Sequence, residues 1–249
     1  MDSLIDAELV ERPRVFAIVV AGFVGFLAGQ ILGEVFDLIG VSLTHYPGGL
    51  SALGNDVSPP WWANALGLIG LWTGFAAAIY YAYTRGNLRP LPRQWRVKPI
   101  DVVYVALGLA CQYVVDAFYY PFHLRHFNAP VNHLFGSVFG ASFVLLIVMT
   151  TVLAPIMEEW LFRGVLFRAL SEGGPKGGSR SRIVLGVIVS AALFALAHGE
   201  PVQFAGLFLL GAVLAILVWR TKRLVPSIVT HMSFNGAAVV ALIHQRSMH

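Results

Sequence analysis

The amino-acid sequence is divided into apolar runs whose lengths cluster near the roughly 20 residues an α-helix needs to cross a bilayer. No other feature constrains the fold as tightly, because a backbone inside lipid must satisfy its own hydrogen bonds and a helix does so within one segment. The runs are 15–33, 61–83, 101–120, 134–154, 183–197, 201–219 and 226–243. Pro155 is expected to kink or interrupt the fourth before a further helical stretch to Leu170, which predicts seven spans, or eight if that stretch stands alone. The fold class expected is therefore all-α, a polytopic integral membrane helix bundle forming one membrane domain over 1–249. Composition agrees: 57% of the residues are hydrophobic and 12% charged, where a soluble domain carries about 25% charged residues. Disordered, collagenous and disulfide-scaffold classes are excluded. The single cysteine, Cys111, lies in an apolar run and reads as a packing residue.

Charge placement predicts orientation. The first run is too long for a signal peptide, follows an acidic flank and lacks a small-x-small cleavage site, so it reads as a retained helix. Its Gly25-xxx-Gly29 allows another helix to approach closely, and Gly136-xxx-Gly140 is read the same way. Arg85, Arg89, Arg93, Arg96 and Lys98 follow the second run; Lys176, Arg180 and Arg182 precede the fifth; Arg220, Lys222 and Arg223 precede the last. Basic loops stay cytoplasmic, so these three are expected on that side together with the N-terminus, and seven crossings then put the C-terminus outside. The Gly-rich stretch 171–182 reads as a flexible cytoplasmic connection. The net charge of +4 thus records topology, and nucleic acid is not an expected partner.

Ionisable groups inside apolar helices are costly, and three sets stand out. Glu158 and Glu159 are adjacent and point about 100° apart on a helix. Glu159 and Arg163 stand at i,i+4, the spacing of an ion pair, which leaves Glu158 without a local partner. His198 closes a run of short length, and His231 and Asn235 share one face of the last span. Measured from the cytoplasmic loops, Glu158 lies ~15 Å, His198 ~22 Å and His231 ~10 Å deep, all within one bilayer core of ~30 Å. A carboxylate, two imidazoles and an amide suffice to activate water and stabilise an oxyanion. Each set also has a structural reading: an interfacial helix for Glu158 and Glu159, a helix-end histidine for His198, an interhelical hydrogen bond for His231 or Asn235. His123, His126 and His133 match no strong ligand spacing and read as solvated interfacial side chains.

Taken together, Glu158-Glu159-Trp160-Leu161-Phe162-Arg163, Phe194-Ala195-Leu196-Ala197-His198 and His231-Met232-Ser233-Phe234-Asn235 resemble the Glu-Glu-x-x-x-Arg, Phe-x-x-x-His and His-x-x-x-Asn motifs of the CAAX prenyl protease and bacteriocin-processing intramembrane proteases, the Abi family. The resemblance places a catalytic core at 154–240 and implies an endopeptidase acting on membrane-presented peptides or proteins, prenylated CAAX-type substrates among them. By motif it makes Glu158 the water-activating base assisted by His198, with His231 and Asn235 binding the scissile carbonyl oxygen and Glu159 and Arg163 in support. It implies a multi-pass protein of the plasma (inner) membrane in a bacterium or of the endoplasmic reticulum in a eukaryote.

Two alternatives stand beside this reading. Two histidines and one glutamate with an open position form a catalytic zinc set, so Glu158, His198 and His231 are alternative zinc ligands. A metal-free site is favoured, because such a set would leave only Glu159 as a base, and Glu159 is committed to Arg163 by spacing. The other alternative is a non-catalytic membrane scaffold or immunity protein of the same fold.

Overall fold

The computed structural model describes residues 12–56, 58–122, 131, 134–136, 138–173 and 178–248, and every regular element among them is helical. Seven helices are long and apolar enough to cross a membrane: α1 (Val15–Thr44), α3 (Trp61–Thr84), α4 (Pro99–Phe122), α5 (Gly140–Glu172), α6 (Arg180–Ala197), α7 (Phe204–Thr221) and α8 (Val225–Ser247). A short α2 (Gly49–Gly54) joins the first two. Large apolar side chains such as Phe16, Ile31, Tyr113 and Val144 lie on the outside of the bundle. That arrangement suits lipid rather than water as the surrounding solvent.

α1 and α3 meet through glycines, as Gly25-xxx-Gly29 leads one to expect. A Cβ placed on Gly25 would stand 2.6 Å from the carbonyl oxygen of Gly74, and one on Gly29 would stand 2.8 Å from the Cα of Leu71. Backbone lies directly on backbone, so close packing supplies the attraction that the hydrophobic effect cannot supply between helices in lipid. α1 also runs eleven residues beyond the expected Gly33, through Glu34 and Asp37 to Thr44. The second glycine pair behaves differently. Gly140 has φ +63°, and a Cβ placed on it would meet nothing within 4 Å, so Gly136-xxx-Gly140 is not a packing stripe. Phe139 is extended and Gly140 turns the chain into α5, which therefore begins at Gly140 rather than at Leu134.

Pro155 does not interrupt the fourth span. α5 is one helix of 33 residues, and the count among the described residues is seven spans. A π-helical segment, Met149–Leu153, precedes the proline and a second, Trp160–Phe167, follows Glu159. A proline lacks an N–H and its ring crowds the carbonyl four residues back; a widened turn relieves both.

The three basic connections gather at one end of the bundle. Arg168 donates to the carbonyl of Arg89 at 2.8 Å, and the backbone N–H of Leu224 donates to that of Gln94 at 2.8 Å. Arg223 grips Asp101 with both guanidinium nitrogens at 2.7 Å and also donates to the Arg96 carbonyl. Hydrogen bonding to Asp101 raises the Arg223 guanidinium above its ordinary pKa. The start of α1 lies at the same end, where the Arg14 N–H donates to the Gly86 carbonyl at 2.9 Å. His123, His126 and His133 lie outside the described residues, as does Lys176.

Candidate active site

The three polar sets converge. Glu158 from α5, His198 just after α6 and Asn235 from α8 line one cavity of about 270 Å³. Its remaining wall is mainly apolar and includes Leu68 of α3, Val115 and Tyr119 of α4, Leu207 of α7 and Val239 of α8. Five spans and the segment around Leu134 and Phe135 therefore enclose it.

Each polar side chain has a distinct setting. The ring of His198 places Nδ1 2.8 Å from the carbonyl oxygen of Phe194. A carbonyl only accepts, so Nδ1 carries a proton, and in the neutral ring Nε2 holds the lone pair. Glu158 lines the cavity, and its Oε2 is buried without a hydrogen-bond partner among the described residues. Asn235 donates one N–H to the carbonyl of Thr150 at 3.0 Å. An amide nitrogen has two hydrogens, so one remains for a ligand.

Behind this surface sits a closed layer. Arg163 is fully buried, 2.7 Å from Glu159 Oε1, and its other terminal nitrogen donates to the carbonyl of Gly211 at 3.1 Å. The i,i+4 pairing read from the spacing is thus present even though a π-helical segment begins between the partners. His231 is 2% exposed and does not line the cavity. Its Nδ1 lies 3.1 Å from Glu159 Oε1 and its Nε2 lies 3.7 Å from Glu158 Oε2. Both nitrogens thus face carboxylates, which places His231 behind Glu158 rather than beside Asn235 at the cavity wall. The geometry separates the two residues that the motif resemblance assigns jointly to the carbonyl oxygen. Among the described residues no three His, Cys, Asp or Glu side chains are grouped as metal ligands. The alternative set of Glu158, His198 and His231 is not assembled in this arrangement.

Phe194 explains why an aromatic residue belongs to the second motif. The Arg163 guanidinium lies 4.4 Å from its ring centroid, while the rings of His198 and His231 pack edge-on against it at 4.6 and 5.4 Å. One ring thus touches a member of all three motifs and covers the buried cation. The sequence offers no signal for Gly211, whose carbonyl serves Arg163, or for Thr150, whose carbonyl serves Asn235. Gln112 of α4 also lines the cavity, and the sequence marks it only as a polar residue in an apolar run. Arg246 donates to the carbonyls of Phe135, Gly136 and Val138 at 3.0, 2.7 and 3.3 Å. It pins a segment that supplies part of the cavity wall.

Together these features define a multi-pass membrane protein with a carboxylate, an imidazole and an amide exposed in an intramembrane cavity. Comparison with known proteins supplies the relationship. Residues 123–237 match the family of type II CAAX prenyl endopeptidases described as Rce1-like, so this part of the chain is related to the CAAX prenyl proteases, as the three motifs imply. Over 100 residues the chain is 32% identical to the membrane-embedded CAAX protease MroQ of Staphylococcus aureus (strain USA300), covering 39% of this chain and 38% of that protein. Over 96 residues it is 27% identical to the putative membrane peptidase YdiL of Bacillus subtilis (strain 168), covering 39% and 36%. An uncharacterized 24.3 kDa protein of Escherichia coli is 27% identical over 157 residues, or 59% of this chain and 63% of that one. The matches therefore span under two fifths of the length of MroQ or YdiL and under two thirds of the third relative. No solved structure matches significantly.

Proposed function

We propose that this protein is an intramembrane endopeptidase that hydrolyses peptide bonds with a water molecule held by Glu158 and His198. The observation that carries the reading is the convergence of Glu158, His198 and Asn235, from three separate stretches of sequence, on one largely apolar cavity. The chemistry follows from the hydrogen-bond inventory. Glu158, whose side chain lines the cavity, takes a proton from water while the Nε2 lone pair of His198 accepts the water's other hydrogen. The oxygen attacks the scissile carbonyl, and the N–H that Asn235 does not spend on Thr150 donates to the developing oxyanion. The proton on Glu158 then passes to the leaving amine as the C–N bond breaks, which restores the carboxylate. His231, bonded to Glu159 and facing Glu158, orients the base. This assignment uses no metal.

The cavity wall also bears on substrate. Apolar side chains dominate it, so residues flanking the scissile bond are apolar and the peptide is presented by the membrane. With the basic end at the cytoplasm, the lining runs from ~15 Å (Asn235) to ~30 Å (Tyr119) above it. By the same measure Arg163, His231 and Glu159 lie at ~8, ~10 and ~13 Å, nearer that end than the cavity lining. This depth favours segments reaching the site through the bilayer or from the opposite face. A prenylated CAAX-type terminus is a substrate only if its last residues penetrate that far.

Mass spectrometry of membrane peptides from cells carrying wild type or Glu158→Ala tests the reading. A cleavage product found only with wild type is expected. Identical peptide profiles at equal expression would favour the non-catalytic scaffold or immunity role instead.

A further inference from the structure

Gln112 lies on α4, before the stretch related to the CAAX prenyl proteases, yet it lines the same cavity as Glu158, His198 and Asn235. An amide in the middle of a largely apolar spanning helix is costly to keep unless it is used. Its Nε2 donates to Asp116 Oδ1 at 2.9 Å, one turn further along α4. A carboxylate accepts and does not donate, so this bond sets the amide with nitrogen toward Asp116 and oxygen away from it. Asp116 is exposed on the outside of the helix and is not part of the cavity wall. Gln112 Oε1 is buried and has no hydrogen-bond partner among the described residues. A residue of the cavity wall thus carries an oriented acceptor that no donor among the described residues serves. The mechanism above supplies a base and an oxyanion donor but nothing that holds the peptide backbone on either side of the scissile bond.

We propose that Gln112 is a substrate-binding residue whose Oε1 accepts a hydrogen bond from a backbone N–H of the bound peptide near the scissile bond. The inference rests on the peptidase reading of the cavity. A backbone N–H is present at every non-proline residue, so such a contact fixes the register of a peptide while the apolar wall selects its side chains. Asp116 acts through Gln112 and is a positioning residue.

Backbone ester substitution tests this directly. The protein is reconstituted in liposomes with an internally quenched apolar peptide chosen by cleavage from a mixed peptide library. Each N–H outside the scissile bond is then replaced in turn by an ester oxygen. In wild type one position is expected to lower kcat/KM roughly tenfold, mainly through KM. In Gln112→Met, which keeps the side-chain volume and removes the acceptor, the parent peptide should show a similar loss and the ester no further loss. A wild-type scan with no sensitive position overturns the inference without recourse to any variant. So does a Gln112→Met protein that folds normally and in which the ester still causes its full loss. Failure of wild type to cleave any library peptide would overturn the peptidase reading, and this inference with it.

Discussion

At the residue scale, the arrangement turns on which carboxylate is free. Glu159 is fully buried and shared between Arg163 and His231, whereas Glu158 reaches the cavity. This division was legible in the sequence, because a helix turns about 100° per residue and only Glu159 stands one turn from Arg163. The position of His231 was not legible. Shared-face spacing says that His231 and Asn235 lie one above the other, and it cannot say that one is behind the wall and the other in it. Buried ion pairs predict a characteristic mutational pattern: Glu159→Gln or Arg163→Met alone should destabilise the protein by about 3–5 kcal/mol, because each removes the opposite charge from a buried ion. The double substitution should cost clearly less than the sum. Thermal unfolding of all four proteins in detergent checks this, and additive losses would contradict the pairing.

At the element scale, the spans were legible from hydropathy to within a few residues, apart from the end of α1 and the start of α5. The behaviour at Pro155 was not, since a proline in a sequence marks the loss of a hydrogen bond but not whether a widened turn absorbs it. Glycine spacing was informative only where a second helix was present to use it. Gly25 faces the backbone of Gly74 and the side chain of Ala78, while Gly140 faces open space and serves a left-handed turn. Gly25→Leu should therefore push α1 from α3 and lower the thermal midpoint by several degrees. Gly54→Leu, at a position with nothing within 4 Å, serves as the control and should be near neutral. Equal midpoints for the two variants would remove the close contact between α1 and α3. Charged residues in the loops were read only as topology signals. Arg223 is in addition the bidentate partner of Asp101 and ties the start of α4 to the turn before α8.

At the scale of the whole molecule, the basic connections meet at one end and the cavity lies toward the other. In a Cys111→Ala background, cysteines at exposed Arg93 and Ser179 should react with an impermeant thiol reagent from the same side of the membrane, and one at exposed Asn55 from the opposite side. Labelling of the first two from different sides would refute the topology. That three polar sets would share a site was arguable from depth alone, because all fell within one bilayer core; that the N-terminal spans contribute Leu68 and Gln112 to it was not, because hydropathy does not state which helices are neighbours. The central claim is that Glu158 activates the water, and turnover of the reconstituted, purified protein measures it most directly. Glu158→Gln keeps the side-chain volume but cannot take up a proton at neutral pH, so it should fold and insert like wild type and lose about 10²–10⁴-fold in kcat. Near wild-type turnover by Glu158→Gln protein would contradict the account.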